Sequence, residues 1–213
     1  MNVVTQLQEF RQAIYKNLCK AQDATFELMD ALLLTRTAQS LADLSLSIAF
    51  RRQWSSIYEA LQDTRPDRQQ LMKLYIAQIP QSERIVLAGD HTSWSRPFAK
   101  NRLHWTVPAL STPDQCDRWS DLMPIVTWQL WLARHLVAQR PLPWQKSQVK
   151  LTPGRVAQSF GSILAVLGTP AQPPKLRGKS PGWSKGRKRR PRIRYPVVKK
   201  GFSRPRKTAK KSP

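Results

Sequence analysis

The sequence predicts a mainly α protein that carries one short strand and ends in a basic segment unable to pack. Apolar residues at three- and four-residue spacing predict helices in two regions, one before residue 80 and one between Arg118 and Leu167. A single run of branched residues, Arg84-Ile85-Val86-Leu87-Ala88-Gly89-Asp90, predicts the strand. Residues 173–213 hold 17 Lys and Arg, no acid and many Pro and Gly, so they bury too little apolar surface to offset their ordering entropy. With 213 residues, 40% of them hydrophobic, the chain has material for one modest core or for two small ones joined by a linker.

In chain order, Leu28, Leu32, Leu41, Leu44 and Ile48 share a stripe, on one helix or on two broken near Thr35–Thr37. A further helix runs through Trp54, Ile57, Tyr58 and Leu61, with Ser55 or Ser56 as its cap. The next runs through Leu71, Leu74, Tyr75 and Ile79 and is ended by Pro80, after a turn at Asp63-Thr64-Arg65-Pro66. Residues 1–80 are therefore expected to form a helical N-terminal bundle. Arg84–Asp90 then reads as a buried strand that delivers a carboxylate to a sheet edge, with a helix interior as the competing reading. From Arg118 to Ala138, Trp119, Leu122, Val126, Leu130 and Leu136 face a core, and Trp119, Trp128 and Trp131 read as packing anchors rather than a ligand box. The last helix spans about Pro153 to Leu167, with Thr152 as its N-cap, Pro153 in its first turn and Gly168 as its stop.

Charge divides the chain more sharply than hydropathy does. The 36 Lys+Arg and 13 Asp+Glu give a formal net charge of +23. Up to Asp121, the last acid, 14 basic residues face 13 acidic ones; beyond it 22 basic residues face none. Such a block repels itself unless a polyanion accepts it, which points to nucleic acid and the release of its counterions. An anionic membrane surface is the competing polyanion, but it goes with an amphipathic basic helix, and Pro-rich basic sequence forms helices poorly. The start of the chain, with Gln8 and Glu9, lacks the basic and apolar regions of a signal peptide, and the most apolar stretch, Leu122–Ala133, is too short to span a bilayer. A cytoplasmic, nucleoid-associated location is expected. Cys19 and Cys116 show no metal-ligand spacing and read as buried free thiols. His91, His104 and His135 likewise lack the spacing of a zinc site and read as packing or surface residues.

Several segments resemble one family. Val86-Leu87-Ala88-Gly89-Asp90-His91-Thr92-Ser93-Trp94-Ser95-Arg96-Pro97 resembles the first catalytic segment of insertion-sequence transposases of the acidic-triad (DDE) type. Leu41-Ala42-Asp43-Leu44-Ser45-Leu46 and Phe50–Leu61 resemble the helical region that precedes the catalytic fold in that family. Gly168-Thr169-Pro170-Ala171, Arg177–Gly182, Lys185-Gly186-Arg187 and Arg194–Lys200 resemble its C-terminal tail. The resemblance implies a ribonuclease-H-like α/β fold, with Asp90 as the first of three metal-binding carboxylates at the end of the first strand.

The chain departs from the family after that first acid. Only residues 91–101 separate Asp90 from Arg102-Leu103-His104-Trp105, which resembles the stretch just after the family's catalytic Glu helix. An in-frame deletion near Phe98-Ala99-Lys100-Asn101 accounts for the join, and it removes the second Asp and the Glu. The intact family uses Mg2+, two ions held by several carboxylates, so Asp90 alone is expected to bind metal weakly and this chain to hold none stably. Asp117 and Asp121 could share a helix face with Asp114 nearby, but Trp119 and Leu122 point to an ordinary amphipathic helix whose early acids suit the helix dipole.

The expected organisation is a helical region over residues 1–80, a truncated ribonuclease-H-like core over 81–170 and a disordered basic tail over 171–213. The expected function is DNA binding by a catalytically inactive transposase remnant. Phosphate contacts would come from Lys175, Arg177, Lys179, Lys185, Arg187, Lys188, Arg189, Arg190, Arg192, Arg194, Lys199 and Lys200. Trp183 and Tyr195 would either stack on exposed bases or only help the tail contact its own domain. A full-length transposase or a second copy is a further expected partner, the former through a nuclease assembled with an intact relative. The alternative reading is a basic RNA- or ribosome-associated protein, in which Ala88–Thr92 has no role.

Overall fold

The computed structural model describes residues 2–35, 37–79, 108–138, 143–144 and 151–175. All of them belong to one unit that spans residues 1–175. The predicted strand at 84–90, the deletion join and the basic tail from 176 onward lie outside the described residues.

The described residues form seven helices and no strand. Helix α1, Val3–Asn17, starts where the Asn2 side chain accepts from the backbone N–H of Val4 at 3.1 Å. Its Leu7, Phe10 and Ile14 are buried, and so is Leu18 just past its end. No element is predicted here from the sequence, because the polar residues between these positions look like simple alternation. Helix α2, Gln22–Leu34, is buried continuously from Thr25 to Leu33, as befits a helix enclosed on every side. The turn before it holds Cys19 at φ 57° and Ala21 at φ 51°, a left-handed conformation that costs a non-glycine residue about 1–2 kcal/mol.

Helix α3, Leu41–Leu44, is one short turn, and the break from α2 falls at Thr35 as the spacing suggested. Ser40 caps it by accepting from Asp43 N, while Asp43 Oδ2 accepts from Gln39 N at 2.8 Å. Helix α4, Ser55–Asp63, follows Trp54 at the N-cap position with no side-chain cap, so neither Ser55 nor Ser56 caps it. Helix α5, Arg68–Ala77, is capped by Asp67, which accepts from Gln69 N and Gln70 N.

Helix α6, Pro113–Ala133, begins earlier and ends earlier than its apolar residues suggested. Thr112 Oγ1 caps it by accepting from Gln115 N, with Pro113 and Asp114 in the first turn. Helix α7, Pro153–Leu167, matches its predicted bounds and ends at Gly168, whose φ of 67° suits glycine. Thr152 occupies its N-cap position without making a side-chain hydrogen bond.

The helices before residue 80 do not close a bundle of their own. Helix α6 packs against α1 and α7, and α2 lies against α4 and α7. Phe10, Ile14, Phe26, Leu61, Trp119 and Phe160 belong to one continuous apolar cluster. Cys19 and Cys116 are both exposed, which corrects the expectation of buried thiols. Cys116 sits in the polar first turn of α6, and Cys19 in the turn that leads to α2.

One shared core implies one cooperative transition. Phe160→Ala, in the last helix, is expected to cost about 3–5 kcal/mol. It should shift the urea midpoints by circular dichroism and by tryptophan fluorescence equally. Two separable transitions, with α1–α5 unaffected, would contradict the shared core.

Candidate nucleic-acid interface

Helix α2 carries Asp23, Glu27 and Asp30 at spacings of four and three, on one helical face. Glu27 and Asp30 are 0% and 1% exposed. A buried carboxylate costs several kcal/mol unless it is paired and hydrogen-bonded, so each requires a cation. Arginines from two other parts of the chain supply them.

Arg11 of α1, itself 2% exposed, meets Asp30 with both terminal nitrogens, at 2.9 and 3.0 Å. The same guanidinium donates to Gln129 Oε1 of α6 and to the Gly168 carbonyl at 3.2 Å, and lies 4.8 Å from the centre of the Phe26 ring. Arg51 grips Glu27 from Nε at 3.0 Å and Nη2 at 2.7 Å, and its backbone N–H donates to Glu27 Oε2 at 3.1 Å. Arg51 also donates to the Ala171 carbonyl at 2.8 Å, and Arg52 to the Gln172 carbonyl at 2.7 Å. Asp23 completes the set by accepting from Gln172 N at 2.9 Å and from the Tyr15 hydroxyl at 2.6 Å. The segment after α7 is thus held to α2 by three arginine-to-carbonyl bonds and one amide-to-carboxylate bond.

This arrangement joins two stretches singled out in the sequence, Phe50–Leu61 and Gly168–Ala171, although some 110 residues separate them. Sequence reasoning missed Arg11, Arg51, Arg52, Glu27 and Asp30 as a set. The available signal was three acids at helical spacing inside an otherwise apolar helix, since buried acids demand partners.

Among the described residues, Arg68 and Arg118 are occupied as well. Arg68 forms a two-oxygen pair with Asp121, the nearest contact being 2.9 Å, and Arg118 donates to the carbonyls of Leu61 and Gln62 and pairs with Asp114 at 3.3 Å. Asp114, Asp117 and Asp121 therefore do not converge on a common point, and among the described residues no group of three His, Cys, Asp or Glu could hold a metal ion. His135 is exposed and accepts from Arg134 Nε at 3.0 Å. Of the predicted phosphate contacts, Lys175 is described and exposed, three residues past the held Gln172. Arg177, Lys179, Lys185, Arg187, Lys188, Arg189, Arg190, Arg192, Arg194, Lys199 and Lys200 lie outside the described residues, as do Asp90, His91, His104, Trp183 and Tyr195. Among the described residues, no helix is long and apolar enough to cross a membrane.

Comparison of the chain with protein-family models, with curated proteins and with solved structures finds no match in any of the three.

Burial pushes the Asp30 carboxyl above its ordinary range, and the Arg11 guanidinium and the Thr169 side chain oppose that push. A carboxyl with a raised folded-state value contributes stability that is fully present at low pH and lost as pH rises through that value. Removing Arg11 raises the value further and deepens the loss. Arg11→Met is therefore expected to cost about 3–5 kcal/mol near neutral pH. The deficit should narrow as pH falls below about 3, where Asp30 is protonated in folded and unfolded chains alike. Urea denaturation at both pH values measures this, and a deficit independent of pH would contradict the pairing.

Proposed function

We propose that this chain binds nucleic acid, duplex DNA foremost, as the remnant of an acidic-triad transposase that does not cut strands on its own. The observation that carries the reading is the separation of charge. The acids of α2 are matched by arginines within the helical unit, whereas the 17 basic residues of 173–213 have no acid among them. Positive charge in excess of the chain's own acids is available to phosphates, and its binding releases counterions from the nucleic acid. The clamp on Gly168–Gln172 fixes the point from which the basic run starts, which ties that run to the folded unit. Contacts of this kind position a protein on a backbone and carry little base information.

The catalytic part of the resemblance is carried by one acid. Strand transfer in the intact family needs two metal ions caged by several carboxylates. This chain brings Asp90, while Asp114 and Asp121 are engaged by Arg118 and Arg68. The residues at hand do not fit a two-metal centre, and no step is derived through one.

A filter-binding titration of the whole chain tests both halves of the reading. For 6–10 phosphate contacts, affinity for duplex DNA should fall by about 10³–10⁵ between 50 and 200 mM salt. Replacing Lys188, Arg189 and Arg190 by Gln should lower the salt slope by about 0.9 for each phosphate that is no longer neutralised. Plasmid in the same tubes should stay uncut with magnesium. Indifference to salt, or scission abolished by Asp90→Ala, would contradict the proposal, and preference for structured RNA over duplex DNA would favour the RNA-associated alternative.

A further inference from the structure

Four side chains make a continuous ladder along α5 and α6. Tyr75 and Trp128 lie parallel, with ring centres 6.1 Å apart and planes 8° apart. Trp131 meets Trp128 edge to face at 5.3 Å, and the Arg134 guanidinium sits 3.4 Å from the Trp131 ring centre. Tyr75, Trp128 and Trp131 pack against the edge of the apolar core. Trp119, on the same helix as the two indoles, is 2% exposed, whereas Trp128 and Trp131 are only partly buried and keep part of their surface open.

The charge around the ladder suits an anion that carries rings. Asp121, the acid beside Tyr75, is engaged by Arg68, and no acid follows it in the chain. The rungs at Trp128, Trp131 and Arg134 therefore lie in acid-free sequence, and the cation of the ladder is the Arg134 guanidinium itself. Bases bind such surfaces by stacking on indole rings and on guanidinium planes, with sequence tolerance because every base has a π face. The bases of a duplex are already stacked on each other and cannot do so.

We propose that the Tyr75–Trp128–Trp131–Arg134 ladder is a stacking platform for the unpaired bases of single-stranded nucleic acid. The inference rests on the nucleic-acid reading above and adds to it a second contact, separate from the phosphate-binding run and selective for single strands. In this arrangement the basic run supplies affinity for any backbone, and the ladder adds affinity only where bases are free.

The test uses the whole chain and three ligands of equal length, about 16 nucleotides: oligo(dT), an abasic strand of the same charge, and a duplex. Oligo(dT) should bind about tenfold more tightly than the abasic strand. Trp131→Ala should remove that advantage while leaving abasic and duplex affinities unchanged, and Trp131→Phe should keep most of it. Photo-crosslinking of 5-iodouracil oligonucleotides to the unsubstituted chain, mapped by mass spectrometry, should label Trp128 or Trp131 and needs no variant to fold. Crosslinks confined to Trp183 or Tyr195, or equal weakening of all three ligands by Trp131→Ala, would overturn the platform and leave the phosphate-binding reading standing. Failure of the unsubstituted chain to bind any of the three at low salt would overturn that reading, and the platform with it.

Discussion

A buried helix with three acids on one face sets the terms for the rest of this structure. Helix α2 cannot enter the core unless Glu27 and Asp30 are met by cations, because an unpaired carboxylate in that setting costs more than its helix gains by burial. The requirement draws Arg11 from α1 and Arg51 and Arg52 from the segment before α4 onto one surface. The remaining guanidinium donors then reach the carbonyls of Gly168, Ala171 and Gln172. A single electrostatic demand thereby fixes three stretches that are far apart in sequence. The surrounding apolar contacts supply most of the stabilisation but little of this specificity, since they would tolerate a small shift of α1 along α2 that a two-pronged guanidinium pair would not.

The same demand divides the chain electrically. An arginine gripping a buried acid has little capacity left for an external anion, so Arg11, Arg51 and Arg52 are taken up by the fold. The basic residues that follow Gln172 are in the opposite position, with no acid in their own sequence to answer them. A folded unit whose buried acids are paired internally, joined to an unbalanced basic run, lets one part keep its stability while the other meets phosphate. The clamp at Gly168–Gln172 lies at the junction, which is why its geometry matters to the proposed function although none of its members is proposed to touch nucleic acid.

Much of the helical framework was legible in the sequence because helical spacing and punctuation agreed. In α7, Pro153 and Gly168 mark both ends of an apolar stripe, and the observed bounds coincide with them. Helix α1 was missed because Gln8, Glu9 and Gln12 lie between its buried residues, and only the longer pattern Leu7, Phe10, Ile14, Leu18 reveals the period. The capping role given to Ser55 or Ser56 was wrong because α4 begins one residue earlier on backbone bonds alone. The clamp was legible only as a demand, since spacing shows that Asp23, Glu27 and Asp30 share a face but not which arginines reach it. Nor could the pairing of Tyr75 with Trp128, which depends on how α5 meets α6.

The Gln172 amide reports most directly on whether the acidic face of α2 holds the chain that leads into the basic run. Its N–H donates to Asp23 Oδ1 at 2.9 Å, in an otherwise exposed residue with no helix around it. Amide hydrogen exchange on the intact chain should find Gln172 protected, and Asp23→Ala should abolish that protection while α6 and α7 keep theirs. An unprotected Gln172 amide in the unsubstituted chain, exchanging at the rate of a free peptide, would contradict the account.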